Sequence, residues 1–188
     1  MKRLVVVGVG ALGSHVSLML RNEGSLKLID FDKVEAKNTL SQFHGKPSLG
    51  KNKAQALQQS LQFMFGLKTE VIPHRLVADN TVILSGADLV IDCLDNGASR
   101  RLVQGYVRAN QIPCLHGALA AGGVFGRVVW DEIFEVDDET PGVPTCEDGA
   151  QLPFIGLVSS LLARSGQEFL KTGKKIGYEI NPRGVIAT

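Results

Sequence analysis

The chain has 188 residues, 44% of them hydrophobic and 21% charged, which suffices for one α/β domain with a sizeable core and is ordinary for a folded globular protein. Its formal net charge of +1 supplies no overall field that would draw it to nucleic acid or to an anionic membrane. No stretch approaches the roughly 18 apolar residues of a membrane span, and Cys93, Cys114 and Cys146 lie far apart without a C-x-x-C pair, which argues against a zinc site or a disulfide framework and fits a reducing, cytoplasmic setting.

In chain order, Leu4 to Val7 form a strand that is apolar at every position, as expected when both faces of a parallel sheet are covered. It breaks into Gly8-Val9-Gly10-Ala11-Leu12-Gly13, a G-x-G-x-x-G array. Gly8 permits the tight turn, Gly10 lets backbone approach a phosphate, and Gly13 lets the next helix pack closely on the strand. That apolar start is too short for a signal peptide. A helix is expected over Ser14 to Glu23, with its N-terminus turned to an anion. A second strand, Leu26 to Ile29, ends in Asp30, placed about 20 residues on to accept hydrogen bonds from ribose hydroxyls.

Apolar spacing predicts a helix over Lys51 to Phe65, with Ala54, Leu57, Leu61, Met64 and Phe65 on one stripe, then a short strand over Thr69 to Ile72. Asp88 to Cys93 is a buried strand, Ser99 to Ala109 a helix, and Ile112 to Leu115 another strand. Val124 to Trp130 alternates and is expected to turn back antiparallel. Residues 131 to 150 form an acidic loop rich in Pro and Gly, of a length usually tied to function or disorder. Pro153 to Leu170 is a long apolar helix with proline in its first turn, and Tyr178 to Ile180 adds a last strand. The expectation is a single domain over residues 1–188. It is Rossmann-like α/β, a mostly parallel sheet covered by helices on both faces, with an antiparallel C-terminal extension.

The chemistry concentrates after the second and fourth of these strands. Asp30-Phe31-Asp32 carries two acids where a dehydrogenase normally needs one, and an extended polar stretch follows. Gly50-Lys51-Asn52-Lys53 then opens a helix with a lysine in its first turn, against the dipole's preference for anions. A bound phosphate would explain it; a solvated surface lysine is the alternative. Asp92-Cys93-Leu94-Asp95-Asn96 closes a buried strand at the end where open α/β sheets bind ligands. Asp95 there is suited to hold Mg²⁺ beside a polyphosphate, and Asp92 reads as structural. Asn96 either bonds a base or ribose or caps the following helix.

Together, the glycine array, LIDFDKVEAKNTLSQ, GKNKA and DLVIDCLDN resemble the ThiF/MoeB/HesA superfamily, relatives of the ubiquitin-activating enzymes, in a short form without zinc motifs. Thr145-Cys146-Glu147-Asp148-Gly149, leading into Leu152-Pro153-Phe154, is similar to the family's cysteine-containing crossover loop, so the likeness runs over about residues 4–171. The resemblance implies ATP- and Mg²⁺-dependent adenylylation of a C-terminal carboxylate, usually that of a ubiquitin-like sulfur carrier or a peptide, by a homodimer. By position, Gly8, Gly10, Ala11 and Gly13 would line the nucleotide. Asp30 would bind the ribose, with Asp32 among the nucleotide-binding residues, and Asn38 and Gln42 would lie along the phosphates. Lys53 would contact the phosphates during attack, Asp95 would ligate Mg²⁺, and Asn96 would sit beside the adenine or ribose. Chemically this is coherent, because a lysine and a divalent cation offset the repulsion between carboxylate and α-phosphate.

The pattern departs from the family in three places. Ser41 stands where an arginine is expected to hold phosphate, a loss on the order of a hundredfold in rate. Only Lys2 and Arg3 precede the first strand, where relatives often carry a helical extension, and the two C-x-x-C pairs of many relatives are absent. Arg100 and Arg101 either supply charge to the site or belong to the helix surface. Cys146 is either a covalent nucleophile, despite the acids beside it, or a loop cysteine. Cys93 and Cys114 read as small core residues. His116 reads as a structural hydrogen-bonding residue rather than a proton carrier, and His44 takes no role. Two other functions compete. One is a nucleotide-binding scaffold of weak or no activity. The other is an NAD-dependent oxidoreductase, which leaves Lys53 and Asp95-Asn96 unused.

Overall fold

The structure, a computed structural model, describes residues 1–136, 149–181 and 183–188. An eight-stranded sheet in the order β3-β2-β1-β4-β5-β6-β7-β8 organises the chain. Its strands are β1 (Arg3–Val7), β2 (Ser25–Ile29), β3 (Glu70–Ile72), β4 (Leu89–Asp92), β5 (Cys114–Leu119), β6 (Gly126–Trp130), β7 (Tyr178–Asn181) and β8 (Gly184–Ala187). From β3 through β5 all pairings are parallel. From β5 onward they are antiparallel, as the alternation in 124–130 predicts.

Among the described residues four α-helices, α1 (Ala11–Met19), α2 (Lys53–Phe65), α3 (Gly97–Ala109) and α4 (Leu152–Thr172), cover the sheet. The all-apolar strands are explained by two cores, since successive strand side chains point to opposite faces. Leu4 and Val6 of β1 pack with Val16 of α1, Leu57 of α2 and Leu162 of α4. Val5 and Val7 face the other way, onto Val103 and Val107 of α3 and onto Leu84. Leu84 ends a 3₁₀ helix, Ala78–Leu84, in a stretch where apolar periodicity gives no signal. Strand β8 was equally invisible, because all four residues are exposed and no buried face imposes alternation.

The order of strands reverses between β1 and β4. Open α/β sheets bind ligands beyond the carboxyl ends of the strands at such a switch point. The glycine array leaves β1 there, and Asp92 to Asn96 leaves β4 beside it. No described helix is long and apolar enough to cross a membrane.

Candidate functional site

Helix α1 begins at Ala11, directly out of the glycine turn and earlier than the expected Ser14, because Gly10 itself is the N-cap residue. No side chain caps this helix start. The free N–H groups of its first turn are therefore available to an anion. Gly8 has a positive φ of 82°, and a Cβ there would meet Cys93 O at 3.0 Å. A Cβ on Gly13 would stand 1.9 Å from Gly8 O, which fixes glycine at that position. A Cβ on Gly10 would meet only the Gln42 amide, at 3.9 Å. Gly10 is thus glycine without internal crowding, as expected where a ligand must approach the backbone.

The turn is held from both sides. Val9 N–H donates to Asp30 Oδ2 at 2.8 Å, and Val9 O accepts from His44 Nε2 at 2.9 Å. Asp30 also accepts from Asp32 N–H at 2.9 Å. Desolvation raises the Asp30 pKa above the usual carboxylate value, against the opposing pull of Lys53. The segment 41–44 straps α1 as well, through Phe43 N–H to Ser14 Oγ at 2.9 Å and His15 Nε2 to Ser41 O at 3.1 Å.

Gln42 lies over Gly10, 8% exposed, with Oε1 unpartnered among the described residues. Asn38 is buried, and its Oδ1 accepts from Glu35 N–H at 2.8 Å. The side-chain oxygen is thus engaged in the local turn, and the amide N–H₂ is the group that could donate to a phosphate.

Lys53 is the first residue of α2, after Asn52 caps the helix by accepting from Gln55 N–H. Asn52 Nδ2 also donates to Asp30 O and Asp32 O, binding the helix start to the end of β2. Lys53 is only 9% exposed, and its Nζ bridges Asp32 Oδ2 at 3.2 Å. It is no solvated surface lysine.

At β4, Asp92 is wholly buried and bonds His116 Nδ1 at 2.7 Å and Arg100 Nη1 at 3.3 Å. Burial alone would raise its carboxyl pKa, but Arg100 and His116 hold it below the usual value. Asp92 and His116 are structural, as their sequence contexts suggest. Arg100 points inward to the same network, so it belongs to neither a phosphate site nor the helix surface. Asn96 is the N-cap of α3, accepting from Ser99 N–H at 2.9 Å, which favours the capping alternative. Asp95, between these fixed residues, is exposed. Gly8, packed on Cys93 and Leu94, places the glycine turn against the turn that carries Asp95.

The sequence pattern of the ThiF family matches residues 1–182. The chain belongs to the ThiF family. This ThiF-family chain is 29% identical to the molybdopterin-synthase adenylyltransferase of Escherichia coli K12, over 94% of its own length and 78% of the relative's. It is 28% identical to the probable adenylyltransferase/sulfurtransferase MoeZ of Mycobacterium tuberculosis, over 98% of the chain and 50% of that protein. It is 33% identical to the SAMP-activating enzyme E1 of Haloferax volcanii over 62% of the chain and 45% of that enzyme. The chain thus spans about half the length of several curated relatives. In fold it matches Escherichia coli MccB, solved with AMPCPP and MccA, at a TM-score of 0.82 and 16% identity, over 100% of the chain and 63% of MccB.

Within this ThiF-family fold, Gly8, Gly10, Ala11, Gly13, Asp30, Asp32, Gln42 and Lys53 gather at one edge with Asp95 and Asn96 beside them. Cys146 and most of the expected crossover loop lie outside the described residues. Cys114 is buried in β5, and burial pushes the Cys93 thiol well up, consistent with inert core cysteines. His44 was missed. Its sequence neighbourhood is polar, and only its distance from the glycine array in the chain, closed by the fold, reveals it as the partner of Val9 O. The signal available was its place three residues before Pro47, in a loop that had to return over the turn.

Proposed function

We propose that this chain adenylylates the C-terminal carboxylate of a small ubiquitin-like carrier protein or peptide at the expense of ATP. The observation that supports this reading best is the uncapped start of α1 with Lys53 close by. Backbone N–H groups there suit the phosphates, and Asp30 suits the ribose. The carrier carboxylate attacks the α-phosphorus, the bond to the bridging oxygen breaks, and pyrophosphate departs. No general base is needed, because a carboxylate is already ionised at neutral pH. Lys53 stabilises the charge that builds on the phosphoryl oxygens. To reach them its ammonium exchanges Asp32 for phosphate.

Among the described residues no group of His, Cys, Asp and Glu forms a protein-only metal cage. Mg²⁺ in such a site would be held by one or two carboxylates together with substrate phosphates and water. Asp95 is the carboxylate suited to it, and the ion would offset charge on the polyphosphate. The carrier tail would cross near Asp95 and Gly117. A homodimer would use the exposed Leu152 and Leu157 of α4, a point sedimentation velocity would decide.

ATP–pyrophosphate exchange in the presence of the cognate carrier tests the reading. Asp95→Ala and Lys53→Ala should each lower exchange on the order of a hundredfold or more. Undiminished exchange in Asp95→Ala would remove the metal assignment. A scaffold of weak activity is the second reading, favoured by Ser41 in place of the family's arginine. Calorimetry showing ATP binding by a chain that supports no exchange would establish it.

A further inference from the structure

The hydrogen bonds around Asp95 form a continuous chain that the reaction itself does not use. Leu94 immediately precedes Asp95, and its peptide groups are gripped on both sides. Its N–H donates to Asp92 Oδ1 at 2.9 Å, and its carbonyl accepts from Arg100 Nη2. The same Nη2 donates to Gly117 O on β5 at 2.8 Å. On the other side of Asp95, Asn96 is fixed as the helix cap, and its carbonyl accepts from Arg100 N–H at 3.2 Å. The backbone point from which the exposed Asp95 carboxylate projects is thereby fixed on both sides.

The chain continues away from the site. His116 bonds Asp92 through Nδ1 and Asp131 Oδ1 through Nε2 at 3.1 Å. Ionised carboxylates only accept, so opposite two of them each ring nitrogen is called on to donate, which favours the protonated ring. Phe134 stacks on that ring at 3.9 Å. Asp131 is held in turn by Arg108 Nε at 2.7 Å. Asp131 and Phe134 are the root of the segment that begins beyond β6 and returns at Gly149, where a Cβ would lie 3.0 Å from Leu40 O.

We propose that Arg100 is a positioning residue that sets the direction of Asp95, and that the chain Arg100–Asp92–His116–Asp131 ties that direction to the root of the crossover segment. This deepens the adenylyltransferase reading and rests on it for the role of Asp95. Arg100 is buried, with its guanidinium engaged by Asp92, Leu94 and Gly117, so it acts through the Leu94 peptide. Its fork is essential, since one guanidinium serves a carboxylate and two carbonyls at once, which a lysine ammonium on a single stem does not reproduce.

Arg100→Lys tests this in the full chain. It keeps the charge opposite Asp92 and loses the fork. Two readouts are needed. Amide hydrogen exchange over residues 93–97 should accelerate at least tenfold. Mn²⁺ binding in the presence of a non-hydrolysable ATP analogue, followed by electron paramagnetic resonance, should weaken about tenfold, while binding of the analogue without metal stays unchanged. Unchanged exchange over 93–97 overturns the proposal, whatever the nucleotide does. So does faster exchange with unaltered Mn²⁺ binding. Should wild type bind no Mn²⁺ with the analogue, the metal reading fails instead, and exchange alone still decides whether Arg100 fixes the turn. Arg108→Met, at the half-exposed end of the chain, keeps the test open if Arg100→Lys does not fold. It should accelerate exchange at 93–97 in the same direction but less, and no change there removes the tie to Asp131.

Discussion

Two turns meet at the switch point of the sheet, and they are built by opposite means. The turn after β1 holds the Val9 peptide between Asp30 and His44. The turn after β4 holds the Leu94 peptide between Asp92 and Arg100. The first presents backbone N–H groups, so what it requires is the absence of side-chain atoms. The second presents a carboxylate, so what it requires is charge pairing beneath. Their acids differ accordingly. Burial lifts the Asp30 pKa, with Lys53 opposing, whereas the Asp92 pKa is held down by Arg100 and His116 despite burial. A shape-built turn tolerates loss of charge better than loss of space, and an ionic turn the reverse.

The sharpest way to break that comparison is Asp92→Asn. It conserves volume, leaves Arg100 buried without its counter-charge and leaves His116 with Asp131 alone, so urea unfolding should report a loss of about 3–5 kcal/mol. A loss under about 1 kcal/mol would mean that the turn after β4 is held by shape as well. Glycine substitutions probe the other side. Gly13→Ala drives a Cβ to 1.9 Å from Gly8 O and should cost about 3 kcal/mol of stability. Gly10→Ala meets only the Gln42 amide at 3.9 Å, so it should change stability little. Its effect belongs to the ligand: ATP affinity, measured by calorimetry, should fall about tenfold, or ~1.4 kcal/mol. If Gly10→Ala unfolds the protein as readily as Gly13→Ala, the space above Gly10 is structural and not a cradle.

The two turns were also unequally legible in the sequence. The glycine array, with an apolar strand before it and Asp30 after the next strand, defines the first turn by spacing alone, because its partners lie in one βαβ unit. The parallel half of the sheet follows from the same local pattern. The second turn depends on residues joined only by folding. Asp92 could be read as structural from its strand, and His116 as a hydrogen-bonding residue, but nothing in the order of residues pairs them. Arg100 looks like any helix arginine until α3 is seen to turn it inward. Lys53 was visible as an oddity, a cation in a helix's first turn, while its bridge to Asp32 was not. Strand β8 and the 3₁₀ helix at Ala78–Leu84 went unseen for a simpler reason: neither carries the periodicity that burial of one face imposes.

The smallest expected effect is a pH dependence, and it separates the turns by sign. His116 is buried, which lowers its pKa, but its hydrogen bonds to Asp131 and Asp92 prevail and raise it overall. The folded state therefore holds a proton that the unfolded chain has released above its own value of about 6.5. The stability this contributes is fully present below that pH and is lost as pH rises through the folded pKa. Asp92 and Asp131 contribute in the other direction, since both are lowered: their stabilisation is present above about 4 and fades as pH falls through their folded values. Asp30 is raised, so its ionisation lowers stability as pH rises through the region above about 4. The groups facing His116 from the packed elements are Asp92, Asp131 and Arg100, and Arg100 opposes its protonation. Urea midpoints followed from pH 6 to 9 should fall with rising pH in wild type, and His116→Asn should flatten that limb while lowering the whole curve. A wild-type curve already flat above pH 6 would mean that His116 is neutral in the folded state, leaving one of its two carboxylate partners without a donor.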